Sequence, residues 1–308
     1  MSLENYRIYR VKVDSGRELT SRDLNPSLVK DYNKLLTGMI IIKGEALTAI
    51  HVGSGKSSIE DIRCKEKVKY GGKPVIPGST LKGLCRSRLQ LLSVAVSGRV
   101  SFTLDPSSPP PANPPIKGMQ GWRHFTIWSP ATWEVRDKTG YAIDDDVFGA
   151  AGLASRVFFG NLVMEDGGQD MFNLDFNEKL EVITEGSKFR GDVSFIGLRS
   201  EELGLIVIGL RLHENKPVLV GRSKYRKRRR GAVSVTLGRL LLTPVEFRFR
   251  DYCENALKGL NVSYVKEGDM LVIRDAIGFA RKLADIAFKE FPELRRDFDE
   301  VEALEKLG

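Results

Sequence analysis

Residues 49–58, AIHVGSGKSS, place glycines ahead of Lys56 and Ser57, the residue types of a phosphate-cradling loop. The spacing excludes a nucleotide-hydrolysing P-loop. A Walker A loop needs a glycine four intervening residues before its Gly-Lys-Ser/Thr, so that backbone N–H groups close round the phosphates. Counting back from Gly55, that position is Ile50. Such a loop also opens into a helix, whereas residues 58–64 carry only a weak helical stripe. Gly53, Ser54 and Gly55 still let a ligand approach the backbone closely, with Lys56 to neutralise it.

The stretch that follows adds Arg63, Lys65, Lys67, Lys69 and Lys73, and within it Glu60 and Asp61 are adjacent acids. A carboxylate there has two readings. It balances local charge at the surface, or it positions a metal or takes the proton from a ribose 2′-OH attacking the next phosphate. His51, His124 and His213 are far apart, with no cysteine partner at metal spacing. Asp144, Asp145 and Asp146 suit a helix cap or a divalent ion.

Two more patterns suit phosphate. In IPGSTLKG, residues 76–83, Pro77 and Gly78 stop one segment and expose the free N–H groups and positive dipole end of a new helix. Ser79, a plausible N-cap, and Thr80 supply hydroxyls, while Lys82 and Arg86 lie one turn apart. This seats a nucleic-acid backbone phosphate or is a capped helix with a solvated basic face. In residues 221–231, Arg222, Lys224, Arg226, Lys227, Arg228, Arg229 and Arg230 are seven cations between two glycines. Crowded like charges are relieved by an anion, and Tyr225 offers a face for base stacking. A solvated turn or localisation signal is the other reading.

The elements that must hold these residues are short. Residues 39–52 read as a strand, 53–74 as a glycine- and charge-rich loop. Leu81, Leu84, Cys85, Leu89, Leu92 and Val96 give a helical stripe. An insertion spans about 98–143; six of the chain's thirteen prolines fall at 105–117, either partly polyproline II or a lid ordered by Trp122, Phe125, Trp128 and Trp133. A short helix leads to a strand at about 156–165, then a strand or pair of strands at about 180–198. SEELGLIVIGLRLH reads as a helix with Ser200 as N-cap and Arg211 and His213 in its last turn, although IVIGL alone also fits a strand. Strands surround the basic segment. A late helix presents Ile277, Ala280, Ala284, Ala287, Phe288 and Phe291, followed by a charged helical tail. The expected divisions are an N-terminal extension, 1–38, a binding domain, 39–250, and a mainly helical extension, 251–308. The order suggests an α+β, ferredoxin-like core of the kind that underlies RNA-recognition modules.

Composition bounds the class. Of 308 residues, 42% are hydrophobic and 29% charged, as in globular proteins, and the net charge of +8 suits a polyanionic partner. No apolar run reaches the ~20 residues of a spanning helix. The first residues lack the apolar core of a signal peptide, and Cys64, Cys85 and Cys253 are scattered, so a reducing cytoplasm is expected and no membrane.

With these residues assembled, the chain resembles the RAMP superfamily, specifically backbone subunits of type III CRISPR effector complexes. Residues 74–83, PVIPGSTLKG, are similar to that family's P-x-I-P-G-S-S-L-K-G segment. Asp146-Val-Phe-Gly149 with Ala154-Ser-Arg-Val157 resembles its FG…SRV segment, and Gly221–Gly231 its glycine-rich loop. The resemblance covers about 39–245. It implies an RRM-like core that binds guide CRISPR RNA in antiviral defence and holds target single-stranded RNA opposite, beside other RAMP subunits and a large subunit. A thumb separates guide–target segments in such proteins, with residues 56–74 its counterpart here. In cleaving members an aspartate upstream of the IPG motif acts as an endonuclease with a divalent cation, Mg or Mn; by distance from Pro77 the match is Asp61, with Glu60 beside it. Ile-Arg-Cys-Lys-Glu follows Asp61 where the family has an apolar-Pro run and an Arg–acid pair. No cofactor is expected for folding. The resemblance leaves a non-catalytic or end-capping subunit, or a guide-precursor nuclease using His51, as alternatives.

Overall fold

A computed structural model describes residues 34–59, 61–93, 115–119, 121–128, 142–175, 178–230 and 233–307, with short pieces at 8–9, 12–13, 99–100, 102 and 133–134. In chain order the main elements of the first half are β1 (Leu36–Ala46), β2 (Gly53–Ser57), β3 (Cys64–Lys67), β4 (Lys73–Ile76), α1 (Gly78–Leu92), α2 (Trp122–Trp128) and α3 (Ile143–Phe148). Then come β5 (Val157–Phe159), β6 (Leu162–Asp166), β7 (Gln169–Asp175), β8 (Glu178–Ile183), β9 (Lys188–Leu198) and α4 (Ser200–Gly209). The chain closes with β10 (Lys227–Arg230), β11 (Val233–Thr236), β12 (Arg239–Arg250), β13 (Met270–Ile273), α5 (Ala276–Glu290) and α6 (Glu300–Lys306).

The protein is an α+β fold on one large antiparallel sheet. Along it lie Val265–Glu267, β13, β12, β1, β9, β6, β4 and Lys69–Tyr70, with β5 also on β9. β1 is central, paired on both edges to β9 and β12, and it alternates: Ile40, Ile42 and Ala46 are buried while Lys43 and Glu45 face out. The central strands and helices follow the order β1, α1, β6, β9, α4, β12, and across the sheet the strands run β12, β1, β9, β6.

Helix α4 packs against α1 and α5, and every residue from Glu202 to Gly209 is buried. A helix enclosed on all sides is apolar all round, which is why IVIGL fits two patterns in the sequence. Two glycines bring these helices close together. A Cβ at Gly204 would overlap the Leu283 carbonyl of α5, and one at Gly209 would overlap Cys85 Sγ of α1.

Several local expectations change. α1 starts at Gly78 after Pro77, with no side-chain cap, so Ser79 is exposed in the first turn rather than capping it. A proline just ahead of the first turn loses no needed N–H, and the Gly78 N–H instead donates to Asn161 Oδ1 at 2.9 Å. α4 starts after Arg199, whose N–H donates to Glu202 Oε2 at 2.8 Å, so Ser200 is not its cap. Arg211 lies beyond the helix end in the left-handed region, φ 57°. α5 buries Ala276, Phe279, Ala280, Leu283, Ala284 and Ala287 and leaves Ile277 exposed, a phase offset fixed by the Asp275 cap on Gly278 N–H.

The 53–74 segment is paired backbone, not a loop. β2 and β3 join the β7–β8 hairpin in a second sheet ordered β7, β8, β3, β2, where β8 and β3 run parallel. Phe172, Leu174, Leu180, Val182 and Leu237 form its small core. Local sequence reads the basic cluster as a loop; β10 and β11 make it a hairpin instead. Within the insertion, Ile127 and Trp128 of α2 pack with Leu91, Leu219, Val301 and Leu304; Val96 and prolines 106–114 lie outside the described residues. Residues 251–307 add strands to the large sheet, and α5 joins the same core. Among the described residues no helix is long and apolar enough to cross a membrane.

Buried ion pairs dock α6. Arg88 Nε meets Glu300 Oε1 at 2.7 Å and Arg211 Nη2 meets Asp299 Oδ2 at 2.9 Å. Removing one partner of such a pair costs about 3–5 kcal/mol. Arg211 also bonds Glu214. Burial pushes the Glu214 carboxyl up, but His213 and Arg211 pull it down further, from 4.5 to about 2. A depressed carboxylate contributes stability that is complete above its unfolded value and is lost as pH falls through the folded one.

Two outcomes are expected. Gly78→Ala, whose Cβ would overlap the Phe159 carbonyl, should lose at least about 1–3 kcal/mol in urea unfolding. Arg211→Met should lose about 3 kcal/mol at neutral pH. It should also show a shallower fall in stability between pH 4.5 and 2 than the parent.

Candidate nucleic-acid interface

The first expected phosphate seat is the start of α1. Ser79 is exposed and Thr80 half-buried, while Gly78 is buried where β5 ends. That glycine is required by close backbone packing. Lys82 is half-buried, its Nζ donating to Ser155 Oγ at 3.0 Å; burial and then Arg86 lower its pKa. Arg86 is not a free cation. Its guanidinium meets Asp144 at 3.1 Å, Asp145 at 2.7 Å and the Gly149 carbonyl at 3.0 Å. All three aspartates of the 144–146 run are buried. Asp145 Oδ2 accepts from the Ala142 N–H at 3.0 Å, a cap, while Asp146 pairs with Arg156.

The second is the β2 strand. Gly53, Ser54, Gly55 and Lys56 are exposed on the outer strand of the small sheet. Gly55 has φ 83° and open space where a Cβ would stand, so the backbone conformation demands glycine there. Beyond β2, Asp61 sits in the turn before β3. Its Oδ1 accepts from Arg63 Nε at 3.0 Å and from the Arg63 N–H at 3.1 Å, and its Oδ2 from Lys179 Nζ at 2.9 Å. These bonds hold the carboxyl far below the usual carboxylate range. It is a poor proton acceptor, and two adjacent cations oppose a divalent ion, so the residues present do not fit one. Among the described residues no group of three His, Cys, Asp or Glu is placed to hold a metal. Glu60 lies outside the described residues.

The third is the 221–231 segment. Arg222 is exposed and meets Glu178 Oε1 at 2.7 Å. Lys224 is half-buried, its Nζ 3.5 Å from the Leu219 carbonyl and 5.4 Å from the Tyr225 ring centre. Tyr225 does not stand open as a stacking face. Its ring lies 4.5 Å from that of His124, and its hydroxyl accepts from Trp128 Nε1 at 3.1 Å. Burial pushes its phenol up to about 12. Arg226 is half-buried and Lys227 exposed; Arg228, Arg229 and Arg230 are described by backbone alone, paired to Val235, Ser234 and Val233.

Two of these places meet. The Arg222 N–H donates to the His51 carbonyl at 2.9 Å, and a Cβ on Gly221, φ 75°, would overlap that carbonyl. The 221–227 loop therefore lies against the chain entering β2. Among the described residues Lys56, Arg226 and Lys227 have no side-chain partner. His51 itself is 1% exposed, with Nδ1 2.7 Å from the Glu181 carbonyl, and burial lowers its pKa. A closed ring of this kind cannot reach a scissile phosphate.

Residue-by-residue reading placed strand at β8 but missed β7, and with it the β7–β8 hairpin that carries Glu178, Lys179 and Glu181. The alternation of Phe172 and Leu174, then Leu180 and Val182, was its signal. It also missed Asn161 and Ser155, which anchor Gly78 and Lys82.

No curated protein matches the chain. A family model described as the RAMP superfamily matches residues 43–215, more than half of it. The matched span runs from β1 through α4 and takes in the glycine strand, the small sheet and the start of α1. RAMP proteins in general bind CRISPR RNA and act in multi-subunit complexes. This chain belongs to the RAMP superfamily and carries its CRISPR-associated RNA-binding module.

Proposed function

We propose that the protein is a guide-RNA-binding subunit of a type III CRISPR interference complex, built on a ferredoxin-like, RRM-like core. The strand order β12, β1, β9, β6 across the sheet supports that core. One observation carries the binding role: the 221–227 loop lies against the chain entering β2, and Lys56 on that strand and Arg226 and Lys227 at the loop's end are cations with no side-chain partner among the described residues. Cations at such a place grip sugar-phosphate links and leave sequence choice to base pairing with the guide. The start of α1 is a further phosphate seat, through Ser79, Thr80 and Lys82. Arg86 supports it from behind.

We read the subunit as non-catalytic. Asp61 pins the β2–β3 turn to β8 through Lys179, and its charge is already balanced.

Lys56→Ala, Arg226→Ala and Lys227→Ala together should weaken guide-RNA binding for all sequences alike. The slope of log affinity against log salt should fall by about 0.7 for each phosphate that is no longer neutralised; an unchanged slope rejects these contacts. Asp61→Asn, assembled with guide RNA and partner subunits, should leave target RNA processing as it is in the parent complex. Abolished cleavage with unchanged RNA affinity would make Asp61 catalytic.

A further inference from the structure

Helix α2 and the residues before it face the 221–227 loop across a groove of about 800 Å³. Lys117, Trp122 and His124 line one side, Ser223, Arg226 and Lys227 the other. Its inner wall is anchored. Arg123 Nε donates to the Tyr225 carbonyl at 3.1 Å, and its Nη2 to the Leu304 carbonyl of α6. The Trp128–Tyr225 bond and the tilted packing of His124 against Tyr225, ring centres 4.5 Å apart, close the same wall. The groove is therefore built by the insertion and the loop jointly.

Its chemistry is specific in kind. Lys117, Arg226 and Lys227 are cations with no side-chain partner among the described residues. Beside them the Trp122 indole and the His124 imidazole line the groove. Burial, then the charge of Lys224, lowers the His124 pKa, so that ring is neutral at pH 7. The volume lies within the roughly 300–1,000 Å³ of small-ligand sites, too large for an ion alone. A planar group bearing a phosphate satisfies both halves. Bases stack on aromatic rings whatever their sequence, and only an unpaired base can leave its stack to do so.

We propose that this groove takes one unpaired nucleotide of an RNA strand, its base against Trp122 and His124 and its phosphate at Lys117, Arg226 and Lys227. This rests on the reading of the 221–227 loop as RNA-binding. A free mononucleotide shares the chemistry, so the test separates the two sources.

The full chain is titrated with a single-stranded oligoribonucleotide, the same sequence as a duplex, and UMP as competitor. Trp122→Ala with His124→Ala should lower single-strand affinity about tenfold and leave duplex affinity unchanged. Lys117→Ala with Lys227→Ala, both exposed side chains, should lower the single-strand salt slope by about 1.4; this pair decides if the aromatic variant does not fold. Equal loss on both RNA forms, or variants that match a parent which binds RNA, overturns the groove alone. A parent that retains neither RNA form fails the RNA-binding reading itself. UMP competing as strongly as the oligonucleotide reassigns the groove to a free nucleotide.

Discussion

Ion pairs buried beside α1 are the constraint on which the geometry depends. Asp144, Asp145 and Asp146 crowd three carboxylates into one turn of α3, all out of water. Uncompensated, each would cost several kcal/mol. Arg86 from α1 and Arg156 from the approach to β5 neutralise them. Arg156 continues to Glu202 of α4 at 3.0 Å and to the Gly197 carbonyl at 2.8 Å. One charge network thus fixes α1, α3, α4 and the end of β9 relative to one another. The first turn of α1 points where it does because Arg86, two turns along, is held there.

That network changes what the net charge of +8 means. Arg86, Arg88, Arg156 and Arg211 are structural cations whose partners lie inside the protein. These pairs take up acids as well as cations, so the net excess is unchanged, but which cations can meet a polyanion is decided locally, by lysines and arginines such as those near β2 and the 221–227 loop. Fields of this kind act over about a Debye length, ~8 Å at physiological salt, so position matters more than the total.

Much of the architecture was legible. β1 and α1 follow from apolar periodicity, and PVIPGSTLKG marked the turn between strand and helix. What escaped was long-range. Residues 53–74 look like a loop because no alternation marks β2; its pairing comes from β3, and β3 in turn pairs with β8, more than a hundred residues later. Tyr225 looked like an exposed ring among cations, and only the insertion, whose own pattern does not say what it packs against, covers it. Arg86 on a polar stripe is indistinguishable from a solvated arginine until Asp144 and Asp145 arrive from another element. Local pattern shows which residues carry charge, and tertiary pairing decides which of them are already neutralised.

The place of β1 bears on synthesis. Both hydrogen-bonding edges of Leu36–Ala46 are satisfied by strands that leave the ribosome much later, Lys188–Leu198 and Arg239–Arg250. Until then an apolar strand with two bare edges is presented by the nascent chain, an invitation to intermolecular pairing. Non-local sheets of this order close slowly. The interval between synthesis of β1 and of its two partners is consequently the stage at which this chain is most exposed to aggregation.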